Sequence, residues 1–382
     1  MNVFRFSHND IMQRITCIVF FVMTLTSESS ASYHKTIKAN TQNVSQALVR
    51  FIEATDEYDI FIESVSVMQH GQLLACWENA EGMAEKPRSQ QELSGTVTAM
   101  AVGLAVDEGL LSLDDKVAAF FPDQLPAQPS ANLQAMTIRH LLTMTSGHDK
   151  DTPCGQDENW AENYLAQPVK YSPGSYFFYD PMAGYMLSAI LQKVTGQSLP
   201  DYLRPRLFEP LGIATIEWEA SPQGISAGGW GLHATTQDMA RIGSLLVQKG
   251  KWEGRRLLPR RWVKQMLGYQ TASCPRDVRY EELPKSGLSL YENDWIQGFG
   301  YQMWHCRSGL VRAEGTGGQI LLLLPEFDSI VMVNADTRQV ESELALAYLH
   351  LAPSIPDWRG KKENKSRTQT RQHNLHYVNS HL

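Results

Sequence analysis

Apolar residues recur at a helical period over Val44–Ala54, with Val44, Ala47, Leu48 and Phe51 on one face. The pattern then switches to two β-rich runs, Ile62–Met68 and Leu73–Trp77, and the intervening Gln69, His70, Gly71 and Gln72 predict a hairpin turn. A long apolar helix follows, ending near Gly109, after which Ser112–Asp115 begins a new turn. The middle of the chain reads as helical. Thr137 caps a segment carrying Ile138, Leu141 and Leu142, Met182–Val194 runs to Thr195 and Gly196, and Thr235–Leu246 and Arg261–Leu267 add two more helices. Strands return at Phe299–Trp304, Ile320–Leu324 and Ser329–Val333, with Pro325 between the last two, and Val340–Leu351 reads as a closing helix. Two early strands, a helical middle and late strands predict one antiparallel sheet built from both chain ends. The expected class is α/β in the α+β sense, with a helical insertion over about 110–225 beside the sheet. No fixed-period repeat interrupts this order.

Composition adds a compartment and removes some partners. The chain has 382 residues, 43% of them hydrophobic, which is enough for a sizeable core. Its net charge of −7 argues against broad nucleic-acid binding, which needs a basic patch. The one basic region in this reading is residues 356–382, where Arg359, Lys361, Lys362, Lys365, Arg367 and Arg371 stand among polar residues as an expected disordered tail. A weak contact of that tail with an anionic surface is the alternative. At the other end, Arg14, the apolar run Ile15–Leu25 and the small residues Ser29, Ser30 and Ala31 read as a secretory signal over residues 1–31, cleaved after Ala31. That run is too short for a stable membrane span, although an uncleaved anchor or a buried terminal element remains open. The expected domain is therefore 32–355, exported to a periplasm or the outside. Cys76, Cys154, Cys274 and Cys306 lack zinc-site spacing, and one or two disulfides or four thiols are both compatible with them. No H-x-x-x-H or H-E-x-x-H pair supports a zinc hydrolase, and no cofactor is expected.

Several phrases together carry a resemblance. The run from Thr98 through Asp107, Gly109 and Asp115 is joined by Thr137–Gly147 (TIRHLLTMTSG), Tyr185–Gly196 (YMLSAILQKVTG), Tyr202–Gly212 (YLRPRLFEPLG) and Gly228–Leu232 (GGWGL). As a set, spread over Ile62–Leu351, they resemble the class C β-lactamases and penicillin-binding-protein-like serine hydrolases. The resemblance implies a β-lactamase/DD-peptidase-like fold and amide or ester hydrolysis through an acyl-enzyme. It places the family's S-x-x-K serine and lysine at Glu92 and Gly95. Glu92 is a weak acyl acceptor there, and Gly95 can neither move a proton nor supply a positive charge. Gly95 also lowers helix propensity by about 1 kcal/mol relative to Ala, which suggests drift of an unused position.

The family's second landmark falls on Tyr179, Asp180 and Pro181, so the tyrosine is kept and its polar partners are changed. The third, a cationic residue on a strand followed by glycines, falls on Arg312, Ala313, Glu314, Gly315 and Thr316. Catalytic positions by resemblance are thus Glu92, Gly95 and Tyr179. Ligand-binding candidates are Asp180, Arg312, Glu314, Gly315 and Thr316, with Arg312 able to attract a carboxylate. Glu92, Asp180 and Glu314 would share one cleft and would then demand an amine, a basic peptide or a hard cation such as calcium. The alternative is plain drift, and no resident metal is assigned.

Two literal motifs are decoys. Gly224–Gly228 matches G-x-S-x-G but sits among loop residues, and Ser32–Lys35 matches S-x-x-K beside the leader with no apolar helix behind it. Ser94 is the stronger rival nucleophile, yet two residues from position 92 turn it by about 200° and Val97 offers it no base. The expectation is a pseudoenzyme binding a peptide-like or cell-wall-derived small ligand. An active serine hydrolase using a non-standard nucleophile such as Ser94 is the alternative.

Overall fold

The computed structural model describes residues 31–156, 158–276, 278–290 and 293–356. The expected leader, apart from Ala31, and the basic tail beyond Pro356 lie outside the described residues. The described chain forms two compact units, one made of residues 31–88, Thr235–Gln248 and 314–356, the other of Ser89–Ala234 and Lys249–Ala313.

The first unit is a sheet with helices. Helix α1 spans Ala31–Glu57, longer at both ends than the periodicity suggested, and Val44, Ala47, Leu48 and Phe51 are buried as expected. Strands β1 (Phe61–Gln69) and β2 (Gln72–Glu78) form the anticipated hairpin. Its turn has two residues rather than four, because His70 (φ 51°) and Gly71 (φ 74°) both adopt the left-handed backbone that matches strand twist. Strands β10 (Gln319–Leu324) and β11 (Ser329–Asp336) pair antiparallel, and β11 also pairs with β1, for example Val65 opposite Val333. The order here is β2-β1-β11-β10, and β9 (Val311–Gly315), whose last residues enter this unit, follows β10. Helix α8 (Thr236–Val247) packs on β1, β10 and β11. Thr235 and Asp238 close a capping box at its start, and Thr236 bonds Ser64 (2.6 Å) and Asn334 (2.7 Å), pinning helix to sheet. The closing helix α10 covers Val340–Leu346 and continues as a wider π turn over Ala347–Leu351.

The second unit is mainly helical. Its helices are α2 (Ser94–Asp107), α3 (Ala131–Ala135), α4 (Ile138–Leu142), α5 (Trp160–Ala166), α6 (Pro181–Thr195), α7 (Leu199–Leu203) and α9 (Arg260–Met266). Helix α2 is buried on every side from Ser94 to Ala105, as its all-round apolar sequence dictates. Helix α6 begins with Asp180 as cap and Pro181 in the first turn, and stops at Gly196 with φ 69°. Short strands accompany the helices: β3 (Arg88–Ser89), β5 (Leu232–Ala234) and β4 (Glu217–Trp218) in that order, and a hairpin of β6 (Lys251–Trp252) and β7 (Arg255–Arg256).

One expected strand is absent as such. Phe299–Trp304 is not continuous, because Gly300 N–H donates to Met303 O (2.7 Å) and Gln302 takes φ 56°, closing a tight turn. Only β8 (Trp304–His305) is laddered, against the start of β9, with Trp304 opposite Arg312.

Candidate functional site

The start of α2 carries the positions that the resemblance assigns to the nucleophile and its base. Glu92 lies on the single 3₁₀ turn Gln91–Leu93 that leads into the helix, half-buried, where a carboxylate is favoured by the helix dipole. Ser94 is the first residue of α2 and fully buried. Its hydroxyl donates to Gln91 O (2.6 Å) and accepts from Leu232 N–H (3.1 Å), so both its proton and a lone pair tie β5 to the helix.

Gly95 has a packing reason that the sequence did not reveal. A Cβ there would lie 2.6 Å from Gln302 Oε1. Gln302 is buried, donates Nε2 to Leu141 O (3.1 Å) and its own N–H to Leu142 O (3.0 Å), and accepts from Thr96 Oγ1 (2.9 Å) through its carbonyl. Its amide therefore occupies the space into which a side chain at position 95 would project. No local signal marked Gln302, because its turn read as a strand.

Tyr179 is half-buried in aromatic packing: its ring stacks on Trp304 (5.2 Å, 23°) and meets Phe299 edge-on (6.1 Å), while Phe177 contacts both partners. Asp180 beside it points into the protein. Its Oδ1 accepts from Met182 N–H (2.9 Å) as the cap of α6, and Oδ2 is buried without a hydrogen-bond partner. Burial, reinforced by Asp151 and opposed by the Met182 N–H and Arg276, pushes its carboxyl up to about 7.

This gives a pH prediction. Between the unfolded carboxyl's value near 4 and about 7, the folded chain holds a proton the unfolded chain has lost, so stability falls as pH rises through that window. Asp180→Asn keeps a good cap and cannot ionise. It is expected to flatten the pH dependence, adding about 2–4 kcal/mol at pH 8 and almost nothing at pH 4. Urea melts of both proteins across pH check this, and parallel curves would refute it.

Arg312 is fully buried in the second unit. Its guanidinium lies 4.6 Å from the Trp295 ring and 5.4 Å from the Trp304 ring, and Nη1 donates to Asp294 O and Cys306 Sγ, each at 3.2 Å. The cation is held on aromatic faces, away from any solvent-borne carboxylate.

Glu314, Gly315 and Thr316 belong to the first unit. Glu314 is half-buried at the end of β9, Gly315 closes the strand, and Thr316 is exposed in the turn where Gly318 (φ 90°) donates to Gly315 O (3.2 Å). A Cβ on Gly318 would come within 3.0 Å of Glu343 Oε2. Glu343, on α10, is fully buried with neither carboxyl oxygen hydrogen-bonded, and burial first, then Glu314, pushes its carboxyl well above the usual range. Its carboxyl packs on the glycine turn, and it was read only as part of a closing helix.

The expectation of three carboxylates sharing a cation is not supported. Asp180 is committed to a helix cap, and among the described residues no group of three or more His, Cys, Asp or Glu side chains is arranged to hold a metal ion. None of Cys76, Cys154, Cys274 and Cys306 is in a disulfide. Ser226 of the G-x-S-x-G run is buried in a loop, its backbone bridged to Ala220, with no helix following.

Residues 93–352 match the family model described as Beta-lactamase. The chain belongs to that family. The match begins one residue after Glu92, so it is carried by the framework and not by the nucleophile position. Among curated members, lovastatin esterase of Penicillium rubens is 26% identical over 32% of this chain and 37% of its own length. Esterase EstB of Burkholderia gladioli is 27% identical over 38% and 44%, and penicillin-binding protein 4* of Bacillus subtilis 27% over 45% and 41%. The chain spans less than half the length of these relatives. A putative 6-aminohexanoate-dimer hydrolase from Bacillus anthracis shares the β-lactamase-family fold with a TM-score of 0.62 at 20% identity, covering 80% of this chain and 82% of that one. A penicillin-binding protein homologue from Caulobacter crescentus gives 0.61 at 16% identity, covering 82% and 98%.

Proposed function

We propose that this β-lactamase-family chain is an exported pseudoenzyme that binds a peptide-like or cell-wall-derived ligand without acylating. The observation that carries the reading is Gln302 Oε1 filling the space beside Gly95, where the resemblance would put the lysine base. A positioned base of this kind contributes about 10²–10⁴-fold to a rate, and an unactivated carboxylate at Glu92 does not replace the missing hydroxyl. The relatives named as esterases and penicillin-binding proteins support the class of ligand, amide or ester compounds, rather than its identity.

The test uses a fluorescent penicillin and a fluorophosphonate on the full chain. Neither is expected to label it covalently, whereas a D-alanyl-D-alanine peptide is expected to raise its melting temperature. Covalent labelling that disappears in Ser94→Ala would overturn the reading in favour of an active hydrolase with a non-standard nucleophile. An unchanged melting temperature with that peptide would remove the proposed ligand class.

A further inference from the structure

The second unit carries a basic surface that the sequence reading assigned to no function. Between residues 249 and 264 stand Lys249, Lys251, Arg255, Arg256, Arg260, Arg261 and Lys264, with Glu253 as the one acidic residue, in a chain whose net charge is −7. The tail is therefore not the one basic region. All seven are exposed.

The backbone beneath them is tightly built. Glu253 (φ 45°) and Gly254 (φ 79°) make the two-residue turn of β6–β7, while Leu257 and Leu258 N–H groups both donate to Gly250 O (2.9 and 3.2 Å). Leu258, Trp262, Val263 and Met266 anchor the segment in the core, leaving Arg260, Arg261 and Lys264 on the outer side of α9. The pairing puts Lys251 directly opposite Arg256 and Trp252 opposite Arg255. Arg261 is paired with Asp107 (2.9 Å), whereas among the described residues Arg256 donates to the neutral carbonyls of Lys249 and Leu258 (2.9 and 3.3 Å), which orient its charge without cancelling it.

Trp252 decides the kind of anion. It is half-exposed on the hairpin, flanked by Lys251 and facing Arg255. An indole among cations suits the headgroup level of a bilayer, with the ring in the apolar boundary and the charges on phosphates. A nucleic-acid strand would instead call for successive aromatic platforms along a basic groove. We propose that hairpin β6–β7 and the outer side of α9 form a peripheral docking surface for an anionic phospholipid bilayer. The surface is separate from the altered family site, so its fate does not depend on the pseudoenzyme reading.

The experiment is sedimentation of the full chain with vesicles of phosphatidylcholine alone and of phosphatidylcholine with phosphatidylglycerol. Binding is expected only to the second and is expected to disappear at about 1 M salt, where the Debye length is about 3 Å. Each basic residue at such a surface strengthens partitioning about five-fold, so Arg255→Gln, Arg260→Gln and Lys264→Gln together should weaken it about 100-fold. Trp252→Ser should weaken it several-fold with no change in melting temperature. Neutralising Arg359, Lys361, Lys362 and Lys365 instead should leave most of the binding. No binding to anionic vesicles, or binding lost only with the tail variant, overturns the proposal. Equal vesicle binding by Trp252→Ser, or tighter binding to single-stranded DNA than to vesicles, replaces the bilayer with a soluble polyanion.

Discussion

Glu92→Ser with Gly95→Lys is expected to remain unlabelled by a fluorescent penicillin, whereas adding Gln302→Gly is expected to raise labelling about 100-fold or more, the lower end of what a positioned base contributes. The double variant restores the residue types that the resemblance implies but not the room for them. A Cβ at position 95 already lies 2.6 Å from Gln302 Oε1. That amide is not a loose end, because Nε2 is bonded to Leu141 O and the backbone on either side of it is held by Leu142 and Thr96. Glycine is the apt replacement, since residue 302 sits at φ 56°, where a side chain is strained. The change takes the Gln302 donor from Leu141 O and leaves it the long bond from Met144 N–H (3.4 Å), a cost of about 1 kcal/mol, so melting curves must accompany the labelling. Equal labelling of double and triple variants would show that Gln302 yields easily. A triple variant that folds but stays inert would place a further block at the positions of the second and third landmarks.

The elements written in local pattern were legible, and the site was not. Strands β10 and β11 carry the buried apolar runs Ile320–Leu324 and Ile330–Val333, and these appeared as continuous runs in the sequence. Caps at Thr235 and a stop at Gly196 follow from side-chain chemistry within a few residues, so α6 and α8 were placed to within one or two positions. Gln302 failed this test because its role depends on Gly95, which is distant in sequence and supplies only empty space. The surroundings of Arg312 were hidden for a related reason. A basic residue near glycines suggests an anion site, and only the folded chain brings Trp295 and Trp304 to its sides. Glu343 carries a carboxyl of the kind usually turned to solvent, yet it is buried against the glycine turn at Gly318, where a side chain at 318 would crowd it.

Gly229→Ala should cost more than about 4 kcal/mol, the range reserved for severe core lesions, and Gly184→Ala about 3 kcal/mol. Helix α6 packs backbone to backbone on the turn at Gly228 and Gly229. A Cβ on Gly229 would stand 1.9 Å from Pro181 O, and one on Gly184 2.5 Å from Gly229 Cα. These neighbours are main-chain atoms, which cannot rotate away as a side chain can. The same turn is tied to α2 by Thr98 Oγ1, which donates to Gly228 O (2.7 Å). It thereby fixes the start of α6, with Tyr179 and Asp180, against the helix that follows Glu92 and contains Gly95. Gly109→Ala is the control: its φ of 74° strains an alanine, but nothing lies within 4 Å of the added carbon, so the cost should be about 1–2 kcal/mol. Urea midpoints of the three variants separate the two effects. If Gly229→Ala fell within 1 kcal/mol of Gly109→Ala on the scale of those costs, the close approach would be softer than its distances imply. A large gap would mean that the GGWGL phrase is retained to join α2 and α6, independently of any chemistry at the cleft.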